Sequence, residues 1–186
     1  DSGDVDLGGT VTQIASESHH TCALLEGGAV RCWGWNNFGQ LGYGHTETIG
    51  DDERIEPMAA VALGGPAIAL AAGARHTCAV LDDGDLVCWG EGLDGRLGLG
   101  HEEDVGSAML PVSAGMVDLA DRSAARVFIG ATGSSTCARL DGGSVRCWGL
   151  NDVGQLGLGH TNPVGATPTT TPGQVADIIV ANDGDD

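Results

Sequence analysis

HTCALLEGGAVRCWGWNNFGQLGYGH, residues 20–45, decides how this chain is read, because the same line returns twice. It reappears as HTCAVLDDGDLVCWGEGLDGRLGLGH at residues 76–101 and as STCARLDGGSVRCWGLNDVGQLGLGH at residues 135–160. The upstream halves also match: VDLGGTVTQIASESHHTC from Val5, VALGGPAIALAAGARHTC from Val61 and VDLADRSAARVFIGATGSSTC from Val117. The period from Cys22 to Cys78 is 56 residues, and from Cys78 to Cys137 it is 59. A fixed period of this size marks stacked supersecondary units. The units occupy residues 5–60, 61–116 and 117–174, and residues 175–186 read as the start of a fourth unit or a closing strand with an acidic tail.

Within a unit the alternation is of strand type, with Thr21, Ala23 and Leu25 on one face and Cys22 and Leu24 on the other. Glu26-Gly27-Gly28, Asp82-Asp83-Gly84 and Asp141-Gly142-Gly143 then supply hairpin turns whose glycines reach positive φ at little cost. Further strand-like runs, Val11 to Ala15, Ile68 to Ala72 and Arg126 to Ile129, lie upstream. The pattern predicts an all-β chain of about three four-stranded antiparallel units, apolar on both faces, arranged as a stack or ring of blades.

The WG-x-N-x-x-GQLG-x-GH pattern with HTCA-like strands upstream resembles the RCC1 (regulator of chromosome condensation 1) repeat, from about Val5 onward. The resemblance implies four-stranded blades of a β-propeller, usually seven to a ring. It also implies protein recognition, since the family includes a nucleotide-exchange factor for a small GTPase, ubiquitin-ligase accessory domains and a secreted β-lactamase inhibitor. None of their partner-contacting residues maps onto this chain, whose matched positions are framework positions. Three units are too few for a seven-bladed ring. The chain is then a fragment of a longer propeller, or copies of it complete a ring or continue as a filament, with residues 175–180 as a strand completing the first blade or another copy.

The repeated residues have structural readings. Trp33, Trp89 and Trp148 fill contacts between blades, Leu41, Leu97 and Leu156 plug them, and Gln40 and Gln155 bond buried backbone. Arg96 stands where the other units have glutamine, which predicts a wetter second unit. His45, His101 and His160 recur one per unit and are spread apart, which predicts turn-stabilising bonds and no shared metal site. Cysteines depart from the intracellular members: Cys22 and Cys32, Cys78 and Cys88, and Cys137 and Cys147 face each other across the hairpins. A three-residue loop puts each pair directly opposite at about 4.5 to 5.5 Å between Cα atoms, within disulfide reach. Three bridges predict an oxidising setting, extracellular or at the cell surface.

Composition narrows the function. There is no lysine and the net charge is −18, so phosphate-loop and Schiff-base chemistry are excluded and nucleic acid would be repelled. The longest apolar stretch, Met58 to Ala74, is broken by Gly64, Gly65, Pro66 and Gly73, which argues against membrane insertion. The acidic clusters, Asp51-Asp52-Glu53, Asp82-Asp83-Asp85, Glu102-Glu103-Asp104 and Asp183 to Asp186, lack the spacing of a calcium loop and read as solvated surface. Asp1 in place of methionine predicts a processed or excised segment.

No nucleophile elbow or HExxH motif is present, so no catalytic residue, cofactor or metal is assigned. The leading expectation is a non-enzymatic extracellular binding or scaffold module whose partner is another protein or further copies of itself. The alternatives are a structural subunit of a secreted fibre built by strand exchange and, behind it, an exchange factor or an acidic secreted hydrolase. Trp35, Asn36, Asn37 and Phe38 form an aromatic, amide-rich loop absent from the second unit. Trp35 is the tryptophan without a counterpart, and two readings stay open for it: a recognition anchor, or packing on an adjacent blade.

Overall fold

The computed structural model describes residues 5–52, 59–130 and 132–178. Each unit folds as a three-stranded antiparallel meander. The first holds β1 (Val11–Glu17), β2 (His20–Leu25) and β3 (Val30–Gly34). The second holds β4 (Ala67–Ala72), β5 (His76–Leu81) and β6 (Leu86–Gly90), and the third β7 (Ala124–Ile129), β8 (Ser135–Leu140) and β9 (Val145–Gly149). One residue of each first strand is bulged, between Val11 and Gln13, Ala67 and Ala69, and Ala124 and Arg126, which twists β1, β4 and β7 toward a groove that all three line.

The fourth strand of each blade is shorter than the pattern suggests. The returning chain touches β3, β6 and β9 through one bridge each, Gly34 with Ile49, Gly90 with Val105 and Gly149 with Val164. The reason is local. Gly34 sits at φ 104°, which ends its strand, and the glycine-rich stretch after it turns too often to extend.

Sequence alternation becomes two blade faces. Cys22, Leu24, Val30 and Cys32 join the main core shared with the second blade, whereas Leu7, Ala23 and Leu25 form a separate small cluster with Ala29 and Trp33. The first two hairpin turns are positioned against the following blade: a Cβ on Gly28 would come 2.5 Å from Pro66 Cβ, and one on Gly84 would come 2.5 Å from Ser123 Cβ. The equivalent Gly143 meets nothing within 4 Å.

The three disulfides bridge directly paired residues, at Cα separations of 4.0, 4.1 and 4.1 Å, closer than the 4.5 to 5.5 Å that pairing alone suggests. The terminal segment closes its own blade. Ile178 exchanges backbone hydrogen bonds with Val145 of β9, and the Asp177 carboxylate accepts from Arg146 Nε at 2.5 Å, Ser144 Oγ at 2.7 Å and Arg122 at 3.0 Å. The Ser144 hydrogen bond, opposed by burial and joined by Arg146, holds the Asp177 pKa below the usual carboxylate value. Residues 175–178 therefore pair with the third blade and not with the first. Residues 179–186, with the Asp183 to Asp186 tail, lie outside the described residues.

Candidate functional site

Neighbouring blades meet through one repeated joint. His20 Nε2 lies 2.8 Å from Thr77 Oγ1, and the Thr77 hydroxyl donates to the Gln40 carbonyl at 3.0 Å. Because that hydroxyl is spent as a donor, the imidazole must be the N–H that donates to it. The Trp89 indole donates to the same Gln40 carbonyl at 2.9 Å. The next joint copies it: His76 to Thr136 at 2.8 Å, Thr136 to the Arg96 carbonyl at 2.9 Å, and the Trp148 indole to that carbonyl at 3.1 Å. Trp89 and Trp148 are fully buried by this arrangement, whereas Trp33 is half-buried and no described residue accepts from its indole.

Burial pulls the His20 pKa down to about 4 and that of His76 to about 3, helped by positive charge on His19 and Arg96 respectively. The unfolded chain takes these protons near pH 6.5, so above that pH the joints cost nothing in proton linkage. As pH falls from about 6.5 toward 4 and 3, the folded form cannot protonate and stability is lost. The loss at pH 4 is on the order of several kcal/mol. Thermal melts should therefore show a steep fall below pH 6 that flattens in a His20→Gln, His76→Gln double variant; an unchanged slope would remove these histidines as its cause.

The rim above the first joint carries the sequence-selected loop. Trp35 N donates to the His19 carbonyl at 2.9 Å, which fixes the loop after β3 on the turn between β1 and β2. The Trp35 ring meets His19 edge-on at 5.7 Å and Phe38 at 5.4 Å. Phe38 reaches the second blade, where the Arg75 guanidinium lies 5.1 Å from its ring centroid. Trp35 and Phe38 are both half-buried and Asn37 is exposed. Asn36, by contrast, is wholly buried. Its amide N–H groups donate to the carbonyls of His45 and Glu47 at 2.8 and 3.0 Å, and its Oδ1 accepts from Leu41 N. Asn151 makes the same bonds in the third unit, so Asn36 braces the loop and is removed from the contact surface. His19 and Arg75 were not singled out by the sequence; they belong to the rim because both precede a second-strand histidine, His20 or His76, in register with the loop.

The second unit replaces this rim with charge. Arg96 and Glu91 are each 5% exposed and ion-paired, Glu91 also pairs with Arg75 at 2.9 Å, and Arg96 reaches Asp94 at 3.3 Å. Arg96 is thus buried as half of an ion pair: it arrives together with a carboxylate at the position of Trp35. His45, His101 and His160 each accept from the backbone N–H two residues on at 3.2 Å, a turn-bracing use. Among the described residues no three metal-ligating side chains gather.

Known proteins extend this geometry. A family model described as the regulator of chromosome condensation (RCC1) repeat matches residues 11–40, 67–96 and 127–155, and a second of the same description matches residues 27–80. The E3 ubiquitin-protein ligase HERC2 of Homo sapiens is 33% identical over 79% of this chain and 3% of its own length. The ultraviolet-B receptor UVR8 of Arabidopsis thaliana is 42% identical over 50% of this chain and 20% of its own length. The structure of Prp20p from Saccharomyces cerevisiae, described with its binding properties to Gsp1p and histones, superposes with a TM-score of 0.61 at 25% identity, over 82% of this chain and 36% of that one. The chain thus spans only a small part of the curated relatives it matches. Repeat pattern, blade architecture and family models agree that the chain belongs to the RCC1 repeat family.

Proposed function

We propose that the chain is a non-enzymatic binding module, working outside the cell or at its surface, that holds a protein partner on the rim formed by His19, Trp35, Asn37, Phe38 and Arg75. The observation that carries this reading is the half-buried aromatic pair with an arginine beside it, on a molecule whose net charge is −18. Tryptophan and arginine are the side chains on which binding energy concentrates. Glu91 partly neutralises Arg75, so the rim is an apolar and weakly polar island in an acidic surface. Disulfides in every blade favour an oxidising compartment.

The relatives support protein recognition. Prp20p is described with binding to Gsp1p and histones, and a second structure shows it bound to Kap60. Ligase and exchange activities belong to much longer proteins, of which this chain matches 3% of HERC2 and 29% of the secretion-regulating guanine nucleotide exchange factor of Bos taurus. The test is Trp35→Ala. Partner capture from the extracellular or cell-surface fraction should weaken by about 30-fold, the equivalent of roughly 2 kcal/mol at a binding hot spot. Stability should change by less than about 1 kcal/mol. Unchanged capture, or the stability loss of a core tryptophan, would overturn the rim assignment.

A further inference from the structure

The first strands of the three blades, β1, β4 and β7, run along one groove of about 380 Å³, and no backbone ladder joins one of them to another. Between β1 and β4 a side chain makes the link instead. Gln13 Nε2 donates to the Leu70 carbonyl at 2.6 Å, and Gln13 Oε1 accepts from Leu70 N at 3.1 Å. One carboxamide thus satisfies both main-chain groups of one residue. Leu70 offers both because alternate residues of β4 turn their N–H and C=O away from β5.

Register carries this arrangement to the next pair of blades. Val127 pairs with Ala138 of β8 as Leu70 pairs with Ala79 of β5, so Val127 turns its N–H and C=O away from β8, on the side where β4 lies. Gln13, Ala69 and Arg126 hold one position, the first beyond the bulge of each first strand. In the second blade that residue is alanine, which has no amide to extend, and no described residue bonds the Val127 main chain from outside its own sheet. Ala69, Ala71 and Val127 all line the groove. The second and third blades are consecutive and locked to each other through His76, Thr136 and Arg96, so no further blade can enter between β4 and β7.

We propose that the slot between β4 and β7 is a carboxamide subsite that takes a glutamine side chain of a partner polypeptide, the Val127 N–H donating to its amide oxygen and the Val127 carbonyl accepting from its amide nitrogen. The geometry reads that group narrowly. A primary carboxamide presents an N–H and a C=O on the same side, as Gln13 does to Leu70. A trans peptide bond presents them on opposite sides and can meet only one of the two. A carboxylate accepts but cannot donate, which leaves the Val127 carbonyl unpaired, and it approaches a chain of net charge −18.

The test is an amide NMR titration of the isotope-labelled, unreduced chain with N-acetyl-glutamine methylamide. The Val127 amide should shift saturably, with a dissociation constant of about 1 mM for a ligand of this size. The Leu70 amide, already held by Gln13, should not move, and the N-acetyl-glutamate analogue at neutral pH should shift neither. Ala69→Gln supplies the carboxamide from within the chain, so the Val127 amide should exchange with solvent about 10-fold more slowly and its response to the probe should vanish. Gln13→Ala should do the reverse and make the Leu70 amide respond, which keeps the test decisive where Ala69→Gln does not fold. An unresponsive Val127 amide, equal responses to the glutamine and glutamate probes, or a response that survives Ala69→Gln would overturn the proposal. Shifts spread equally over Val127 and Ile129, whose main chain faces the same way, would mark strand addition along β7 and overturn the carboxamide assignment as well.

Discussion

Titration with reductant is expected to open Cys137–Cys147 first and to leave the second blade's bridge for last. Cys22, Cys32, Cys78 and Cys88 are essentially inaccessible because each bridge lies on the face that the next blade covers, whereas Cys137 is half-buried on a face that nothing described covers. Thiolate attack needs access, so exposure sets the order. The thermodynamic effect is also large. Each bridge closes a loop with a sequence separation of 10, worth about 2–3 kcal/mol through the unfolded chain. Together the three amount to about 6–9 kcal/mol, comparable to the whole stability of an ordinary domain. Full reduction should therefore unfold the chain near ambient temperature. Alkylation with mass-spectrometric mapping gives the order, and calorimetry the loss. Simultaneous opening of all bridges, or a reduced protein that melts where the oxidised one does, would contradict this account.

Glu91→Ala should be the most damaging single substitution outside the cysteines. It strands the Arg96 guanidinium, which keeps an ion pair only with the more exposed Asp94, in a site 5% exposed. Breaking one partner out of a buried pair costs about 3–5 kcal/mol. The other units show how to repair it. The third has Leu150 and Gln155 at these two places and the first has Trp35 and Gln40. A Glu91→Leu, Arg96→Gln double variant should recover most of the loss, because it removes both buried charges and installs the glutamine that braces this loop in the other blades, where Gln155 Oε1 accepts from Val153 N at 3.1 Å and Gln40 Oε1 from Phe38 N at 3.0 Å. Denaturant unfolding of the single and double variants measures both. A single variant within 1 kcal/mol of the parent, or a double variant no better than the single, would show that the pair is not what holds this loop.

Much of the architecture was legible because the repeat reports each position three times. The hairpin turns, the two blade faces and the disulfide partners follow from the alternation around Cys22 and its equivalents. What stayed hidden depends on neighbours in space. Arg96 looked like a polar defect until Glu91, five residues away in sequence, appeared on it. Asn36 shared a polar loop with Asn37, and only the return of residues 45–47 across the loop separates a buried brace from an exposed tip. The expected fourth strands shrink to single bridges such as Gly34 with Ile49 because glycine geometry has already ended the ladder. Arg75 and His19 escaped notice because a rim is assembled from turns of two blades and has no signature within either.

The joint between blades asks its acceptor for a main-chain carbonyl and nothing of the side chain attached to it, which is why glutamine and arginine serve equally at positions 40 and 96. An interface written this way is indifferent to drift in half of its surface. A unit copied whole in the gene arrives with a working socket and a working plug, so the number of blades is free to change by duplication or loss without any contact being redesigned, and the rim loops are free to diverge while the array is lengthened.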